Sequence, residues 1–170
     1  MVRDVYVGFS KPKMKFPIYS WLIRALEHTE FSHVYVWHDT KYNLPIIYQA
    51  SGVAVNFMSG PIFKEKNEVV KEFCFQVTDV AFQKYMQYAL ENVGRDYSLK
   101  QAFGILVKKL FRLKQNPFSN GRSDYICSEL VAVILDELMS FKLPTYFFDY
   151  ATPKDIYLLC QRIEKERTQK

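Results

Sequence analysis

A regular apolar pattern begins at Cys127 and fixes one element of the fold. The apolar positions after it are spaced as on one helix face: Leu130, Val131, Ile134, Leu135 and Leu138. The pattern predicts an α-helix from Cys127 to about Ser140 whose apolar face packs in a core. Ser123 and Asp124, just upstream, are residue types that cap helix starts. Cys127 therefore heads the buried face, in the first turn.

The position of Cys127 has two interpretations. The first turn of a helix has unpaired backbone N–H groups and the positive end of the dipole, which both favour a thiolate over a thiol. The thiolate is the reactive form, so Cys127 is a candidate nucleophile. The alternative is a small buried side chain used as a hydrophobe, the commoner fate of a free cysteine. The position alone leaves both interpretations open.

The composition is that of one folded domain. A length of 170 residues predicts a single domain, residues 1–170, with a sizeable core. Apolar residues at 49% and aromatic residues at 16% exclude a disordered chain. The cysteines number three, which is a poor fit to a secreted disulfide framework, so a reducing compartment is expected.

The same features bear on location and partners. Arg3 and Asp4 stand where a signal peptide has its apolar core, and no apolar run approaches the roughly 18 residues of a membrane span. We therefore expect a cytoplasmic protein. The net charge of +5 favours some affinity for anionic surfaces but identifies no partner.

The segments before and after Cys127 predict an α+β fold. Runs of β-branched and aromatic residues predict strands over residues 5–9, 32–38, 46–50, 53–57 and 69–77. Spacing and caps predict helices over residues 18–28, 79–92, 99–113, 127–140 and from 153 onward. Asp79 is the predicted cap of the second helix, Gly94 its stop, and residues 58–67 are a predicted loop. A helix, a run of antiparallel strands and then helices define the class.

A thiol nucleophile needs a base, and the histidines are His28, His33 and His38. Their spacing of five puts neighbours on opposite faces of a strand, and close ligand pairs such as CxxC are absent, so no metal and no cofactor are predicted. His33 begins a strand, where a rigid backbone can aim its ring, and is the best candidate. Alternation places His33, Tyr35 and Trp37 on one face of that strand. No special role is expected for His28 or His38.

Several short segments together resemble a known family. They are FSHVYV (31–36), YQA (48–50), GRDY (94–97), YICSELV (125–131) and TPKDI (152–156). In this order they resemble the circularly permuted NlpC-type, papain-like cysteine hydrolases. That family includes bacterial cell-envelope hydrolases, viral proteins and the lecithin retinol acyltransferase group. The resemblance spans residues 4 to 157 and implies a permuted papain-like fold with an antiparallel sheet packed against helices.

The resemblance also implies roles for individual residues. Cys127 is the implied nucleophile, His33 the general base, and Gln49 the third polar residue, where many relatives have an acid or a histidine. Gln49 can accept a hydrogen bond from the ring and fix its tautomer; the alternative is a polar residue on a partly exposed strand. Tyr6 or Tyr97 is expected to donate to the oxyanion or to form core or pocket wall.

The other two cysteines are expected to be structural, with Cys160 on an apolar helical stripe and Cys74 on the more polar face of a strand. The helix predicted over 99–113 has an apolar stripe and a basic set. Such a helix can lie on an anionic membrane or envelope. The alternative, which we expect, is a stripe buried in the core with the charges in solvent.

Three functions follow from these features. The leading one is a cysteine-dependent hydrolase of an amide bond in a peptide, for example a cell-wall peptide, acting through a thioester. The second is a lipid-directed acyltransferase or esterase. The third is a catalytically silent binding or virion module of the same fold, which Gln49 in place of an acid favours. Nucleic acid is not an expected partner, because the basic residues match no recognised motif. A viral origin would reconcile a wall substrate with the expected cytoplasmic location.

Overall fold

The computed structural model describes residues 1–14, 18–52, 54–98, 103–105, 107, 108, 111, 113, 126–139, 143, 147 and 151–168. Its strands are β1 (Val2–Pro12), β2 (His33–Asp39), β3 (Pro45–Ser51), β4 (Ala54–Ser59) and β5 (Asn67–Thr78). Its main helices are α1 (Ile18–Glu27), α2 (Gly60–Lys66), α3 (Asp79–Asn92), α4 (Cys127–Met139) and α5 (Pro153–Thr168). The α+β class predicted from the sequence is confirmed.

The strands form one antiparallel sheet in the order β4-β3-β2-β1-β5. Val34 and Val36 of β2 face the main core, which α3, α4 and α5 cover. Tyr35 and Trp37 face the other side, where Tyr35 packs on Phe63 of α2. The predicted alternation along β2 is therefore confirmed, and it places α2 and α4 on opposite faces of the sheet.

The loop predicted over residues 58–67 is wrong, because β4 continues to Ser59 and α2 follows at once. Pro61 lies in the first turn of α2, where its missing N–H has no cost, and Phe63 is fully buried. Gly60 lies against the Pro45 ring, so a larger residue would not fit there. Gly60 and Pro61 thus start a helix instead of marking a loop.

Asp79 is also not the cap that the sequence predicted. Thr78 is the N-cap of α3, and its hydroxyl accepts the N–H of Ala81 at 3.3 Å. Asp79 is the first helical residue, and its carboxylate pairs with Arg3 at 2.7 Å. Gly94 follows the helix with a positive φ of 86°, consistent with its predicted role as a stop.

Helix α4 is the predicted core helix. Leu130, Val131, Ile134 and Leu135 are all fully buried, and the helix packs on β2 and β3. This confirms the apolar face that Cys127 begins.

Helix α1 ends one residue before the predicted helix, and its apolar residues do not form its buried face. Its buried residues are Ser20 and Glu27, whereas Ile18 and Trp21 are exposed. Helical spacing fixed which residues share a face, but not which face the rest of the chain covers.

Most of the helix predicted over 99–113 lies outside the described residues. The same is true of Ser123, Asp124 and Tyr125. Phe103 and Leu113, two of the five residues of its apolar stripe, are exposed, which contradicts the expected burial for these two. The other three, Leu99, Leu106 and Leu110, lie outside the described residues. Within the described part of the chain, none of the helices combines the length and apolar character needed to cross a bilayer.

Candidate active site

Cys127 is the first residue of α4, and its side chain is buried. Helix α4 opens with a hydrogen bond of 3.1 Å from the Leu130 N–H to the Ile126 carbonyl. Backbone N–H groups of Val34, Ser128 and Cys127 lie beside the sulfur and favour its anionic form. Since Val34 directly follows His33, the thiol lies against the start of β2.

The resting state of Cys127 differs from the expectation that the helix start favours a thiolate. Burial raises the pKa of the thiol above its ordinary value, and this outweighs the neighbouring N–H groups. Removing the thiolate charge from water costs more free energy here than the partial charges at the helix start contribute. At neutral pH, Cys127 is therefore a thiol.

His33 and Gln49 are joined across β2 and β3 by a hydrogen bond of 2.8 Å between Nε2 and Oε1. The Gln49 amide nitrogen faces Asn56 Oδ1 at 3.4 Å and Met58 Sδ at 3.9 Å. Because both of these atoms can accept a hydrogen bond from the amide nitrogen, the Gln49 oxygen is the atom that faces the His33 ring. Nε2 of His33 is therefore the donor and has the proton. Nδ1 then has the lone pair and is the nitrogen that can act as a base.

Burial lowers the pKa of His33 to about 4, although the hydrogen bond to Gln49 partly opposes this. The imidazole is therefore neutral at neutral pH. Cys127 and His33 are therefore both uncharged at neutral pH. The His33 ring lies on the Tyr35 side of β2, 6.4 Å from the Phe63 ring of α2 between centroids, whereas Cys127 lies in the main core beneath α4.

The two side chains line adjoining cavities. Cys127 lines a cavity of about 30 Å³, while His33 and Gln49 line one of about 900 Å³. The walls shared by both are Ile23, Ser32 and Tyr97. The larger cavity has the size of a small-molecule or peptide site, and Cys127 lies behind its wall. Direct contact between Cys127 and His33 stays a prediction.

Tyr97 lies between the two cavities. It is half-buried, and both burial and the proximity of Cys127 raise its pKa, so its hydroxyl keeps its proton and can donate. The segment before it is held on β4, since the Val55 N–H donates to the Arg95 carbonyl at 2.8 Å and the Gly94 N–H donates to the Val55 carbonyl at 2.9 Å. Tyr97 is thus placed where the sequence expected a donor or a pocket wall.

Tyr6 lies elsewhere. It is opposite Trp37 in the β1–β2 pairing, and their rings stack at 3.9 Å. A hydrogen bond to Cys74 is the main cause that raises the pKa of Tyr6 to about 12. Trp37 is four residues along β2 from His33, a distance of about 13 Å at the usual rise of a strand. The structure therefore does not bring Tyr6 to the Cys127 cavity.

Sequence reasoning missed Glu27. This carboxyl group is buried, lines the Cys127 cavity, and lies 2.7 Å from the Thr152 hydroxyl through Oε2. The helical spacing of Ser20, Ile23 and Glu27 could have identified it, because these three residues share one face of α1. The hydroxyl of Ser20 meets that of Ser32, also a cavity residue, at 2.6 Å.

The remaining histidines and cysteines lie outside these cavities. His28 is exposed, with a positive φ of 52°, and His38 is buried with Nδ1 3.3 Å from the Tyr85 hydroxyl. Cys160 is fully buried and Cys74 is exposed. Within the described ranges, no three side chains of the metal-binding types are grouped to hold an ion.

Comparison of the chain with known protein families and with curated proteins finds neither a matching family nor a matching protein. The assignment of the site therefore depends on the residues and their geometry.

Proposed function

We propose that this protein has a permuted papain-like fold and is a cysteine-dependent hydrolase of an amide bond, with Cys127 as nucleophile and His33 as general base. The observation that carries the proposal is the His33–Gln49 hydrogen bond at the strand start beside the Cys127 thiol. It provides a base of defined tautomer in the residue before Val34, whose backbone N–H lies beside the Cys127 thiol. A thiol and a base are the parts that thiol catalysis requires, and contact between these two is part of the proposal.

The reaction begins when Nδ1 of His33 takes the proton of the Cys127 thiol as the sulfur attacks the substrate carbonyl carbon. The carbonyl oxygen becomes an oxyanion, and the N–H groups at the start of α4 and the Tyr97 hydroxyl are donors for it. The His33 imidazolium then gives its proton to the leaving amine as the C–N bond breaks. Water, activated by the same imidazole, hydrolyses the thioester and restores the thiol.

Gln49 orients the ring in this scheme but adds no charge. A carboxylate at this position would stabilise the imidazolium, whereas the amide only keeps the proton on Nε2. Together with the raised pKa of Cys127 and the lowered pKa of His33, this predicts a slow enzyme that depends on the substrate to exclude water.

Two alternatives have observations of their own. Apolar side chains such as Met14, Ile18 and Met58 line the larger cavity, which favours a lipid-directed acyltransferase or esterase. The neutral states of Cys127 and His33 favour a catalytically silent module. The experiment must therefore separate acyl-enzyme formation from binding.

Acyl-enzyme trapping makes this separation. The protein is incubated with N-acyl amino-acid amides or with short fatty-acid esters, quenched in acid and mapped by mass spectrometry. We expect an acyl mass on Cys127 from an amide, lost in Cys127→Ser and in His33→Ala. Cys160→Ser and Cys74→Ser are the matched controls and should retain it.

Other outcomes distinguish the alternatives. Acylation by esters alone, with transfer to an added amine, would replace the amidase by the lipid enzyme. Acylation of Cys74 as fast as Cys127, or none from either substrate class, would overturn the catalytic proposal.

A further inference from the structure

The exposed face of α1 is apolar. Ile18, Trp21, Leu22 and Ala25 recur at helical spacing and form what is called here the α1 face. Ile18 is 73% exposed and Trp21 62%, whereas the buried residues of the same helix are Ser20 and Glu27. A soluble helix normally buries such a stripe, so this one is available to a partner.

The apolar surface extends beyond the helix. Met14, before α1, is 75% exposed, and Tyr19 is 59% exposed. Met14, Ile18 and Tyr19 all line the cavity that contains His33. The exposed apolar surface therefore borders the opening of the candidate active site.

A lysine cluster adjoins the same opening. Lys13 donates to the Lys64 carbonyl through Nζ at 2.6 Å and to the Lys66 carbonyl through its backbone N–H at 2.9 Å. These three exposed lysines are accompanied by Glu65, which leaves a local excess of positive charge. Lys13 and Lys66 line the cavity together with Ile18 and Tyr19.

We propose that the α1 face and the lysine cluster dock the protein on an anionic lipid surface, with the His33 cavity opening toward it. A tryptophan and a tyrosine on an apolar face beside lysines match the chemistry of a bilayer interface. Each lysine at an anionic surface strengthens binding roughly fivefold. A second copy fits less well, because a symmetric contact would place two lysine clusters in one interface.

Vesicle co-sedimentation tests this proposal on the full chain. Vesicles of phosphatidylcholine with a third of phosphatidylglycerol are compared with pure phosphatidylcholine at low and at high salt. We expect binding to the anionic vesicles that weakens with salt, and quenching of Trp21 fluorescence by brominated lipid. Cys127→Ser should bind equally, so docking is tested apart from catalysis.

Two pairs of variants locate the surface. The double change Ile18→Ser with Trp21→Ser should weaken vesicle binding about tenfold, while Val80→Ser with Leu90→Ser, equally exposed on α3, should not. Lys64→Glu with Lys66→Glu should likewise weaken it at least tenfold, while Lys84→Glu with Lys165→Glu should have a small effect.

Three results would overturn the proposal. One is the absence of binding to anionic vesicles. Another is equal loss in the control variants, which would mean that binding does not depend on the α1 face and the lysine cluster in particular. The third is a dimer in sedimentation equilibrium that Ile18→Ser with Trp21→Ser dissociates, which would assign the α1 face to a second copy.

Discussion

Gln49 accepts a hydrogen bond through Oε1 from Nε2 of His33 at 2.8 Å, and this leaves the lone pair of the ring on Nδ1. The partner is an amide, so the ring is oriented without being charged. A single substitution that places a carboxylate at position 49 should therefore change the pKa of His33.

Replacing Gln49 by Glu should raise the pKa of His33 well above its present value of about 4, because a carboxylate stabilises the imidazolium. A more basic ring should also accelerate alkylation of Cys127 by iodoacetamide at neutral pH. Proton NMR titration of the His33 ring and labelling rates measure the two effects.

The matched control is Gln83→Glu, the same change on the exposed surface of α3. It should leave both quantities unchanged. A His33 pKa that does not move in Gln49→Glu would contradict the assigned hydrogen bond.

Stability should fall as the pH is lowered from about 6.5 to about 4. The pKa values of His33 and His38 are both lowered by burial from 6.5 to about 4. Between these limits the unfolded chain binds more protons than the folded one, so the free energy of unfolding rises with pH. The expected loss is of order 1 to 3 kcal/mol per histidine, fully developed below about pH 4.

Urea unfolding at a series of pH values measures this slope. His33→Gln should reduce it, and His33→Gln with His38→Gln should reduce it further. An unchanged slope in the double variant would show that other groups dominate acid unfolding.

Gly8 should not tolerate alanine. A Cβ at this position would overlap the ring of Tyr35, which is fully buried beneath α2. Since the ring is enclosed, Gly8→Ala should destabilise the protein by about 1 to 3 kcal/mol or more. Thermal unfolding measures the loss.

A double-mutant cycle identifies the cause. In a Tyr35→Leu background the space opens, so Gly8→Ala should cost much less there than in the wild-type chain. Equal costs in both backgrounds would mean that the clash is not responsible.

Thr152 should be important for stability through its hydroxyl. Its N–H donates to Asp155 Oδ2 at 2.9 Å while its Oγ1 accepts the Asp155 N–H at 3.3 Å, which is a capping arrangement at the start of α5. The same hydroxyl meets Glu27 in the cavity. Thr152→Val should therefore cost about 2 to 4 kcal/mol, whereas Thr152→Ser, which keeps the hydroxyl, should cost little. A Thr152→Val variant no less stable than Thr152→Ser would show that the hydroxyl is not responsible.

Much of the fold could be predicted because its signals are local. The alternation of Val34 and Val36 with Tyr35 fixed the two faces of β2, and the spacing after Cys127 fixed α4. The face of α1 could not be predicted from its spacing, because burial there depends on Ser32 and Thr152, distant in sequence. Helix α2 was missed because Gly60 and Pro61 occur at helix starts as well as in loops.

For the candidate site, the sequence predicted residues but not their environment. The resemblance led to Gln49, and the structure shows its hydrogen bond with His33. The raised pKa of Cys127 was not foreseen, because desolvation depends on packing that spacing does not reveal. Glu27 was missed because its partner Thr152 is 125 residues away.

The late position in the sequence of one wall of the Cys127 cavity has a consequence for synthesis of the chain. The wall of the Cys127 cavity includes Ala151, Thr152 and Pro153, so it cannot be completed before these residues leave the ribosome. At about 5 to 20 residues per second, the 25 residues from Cys127 to Thr152 delay closure by a second or more. During that interval, α4 has no α5 to cover it. The Cys127 thiol is therefore more accessible on the nascent protein than after α5 has packed against α4.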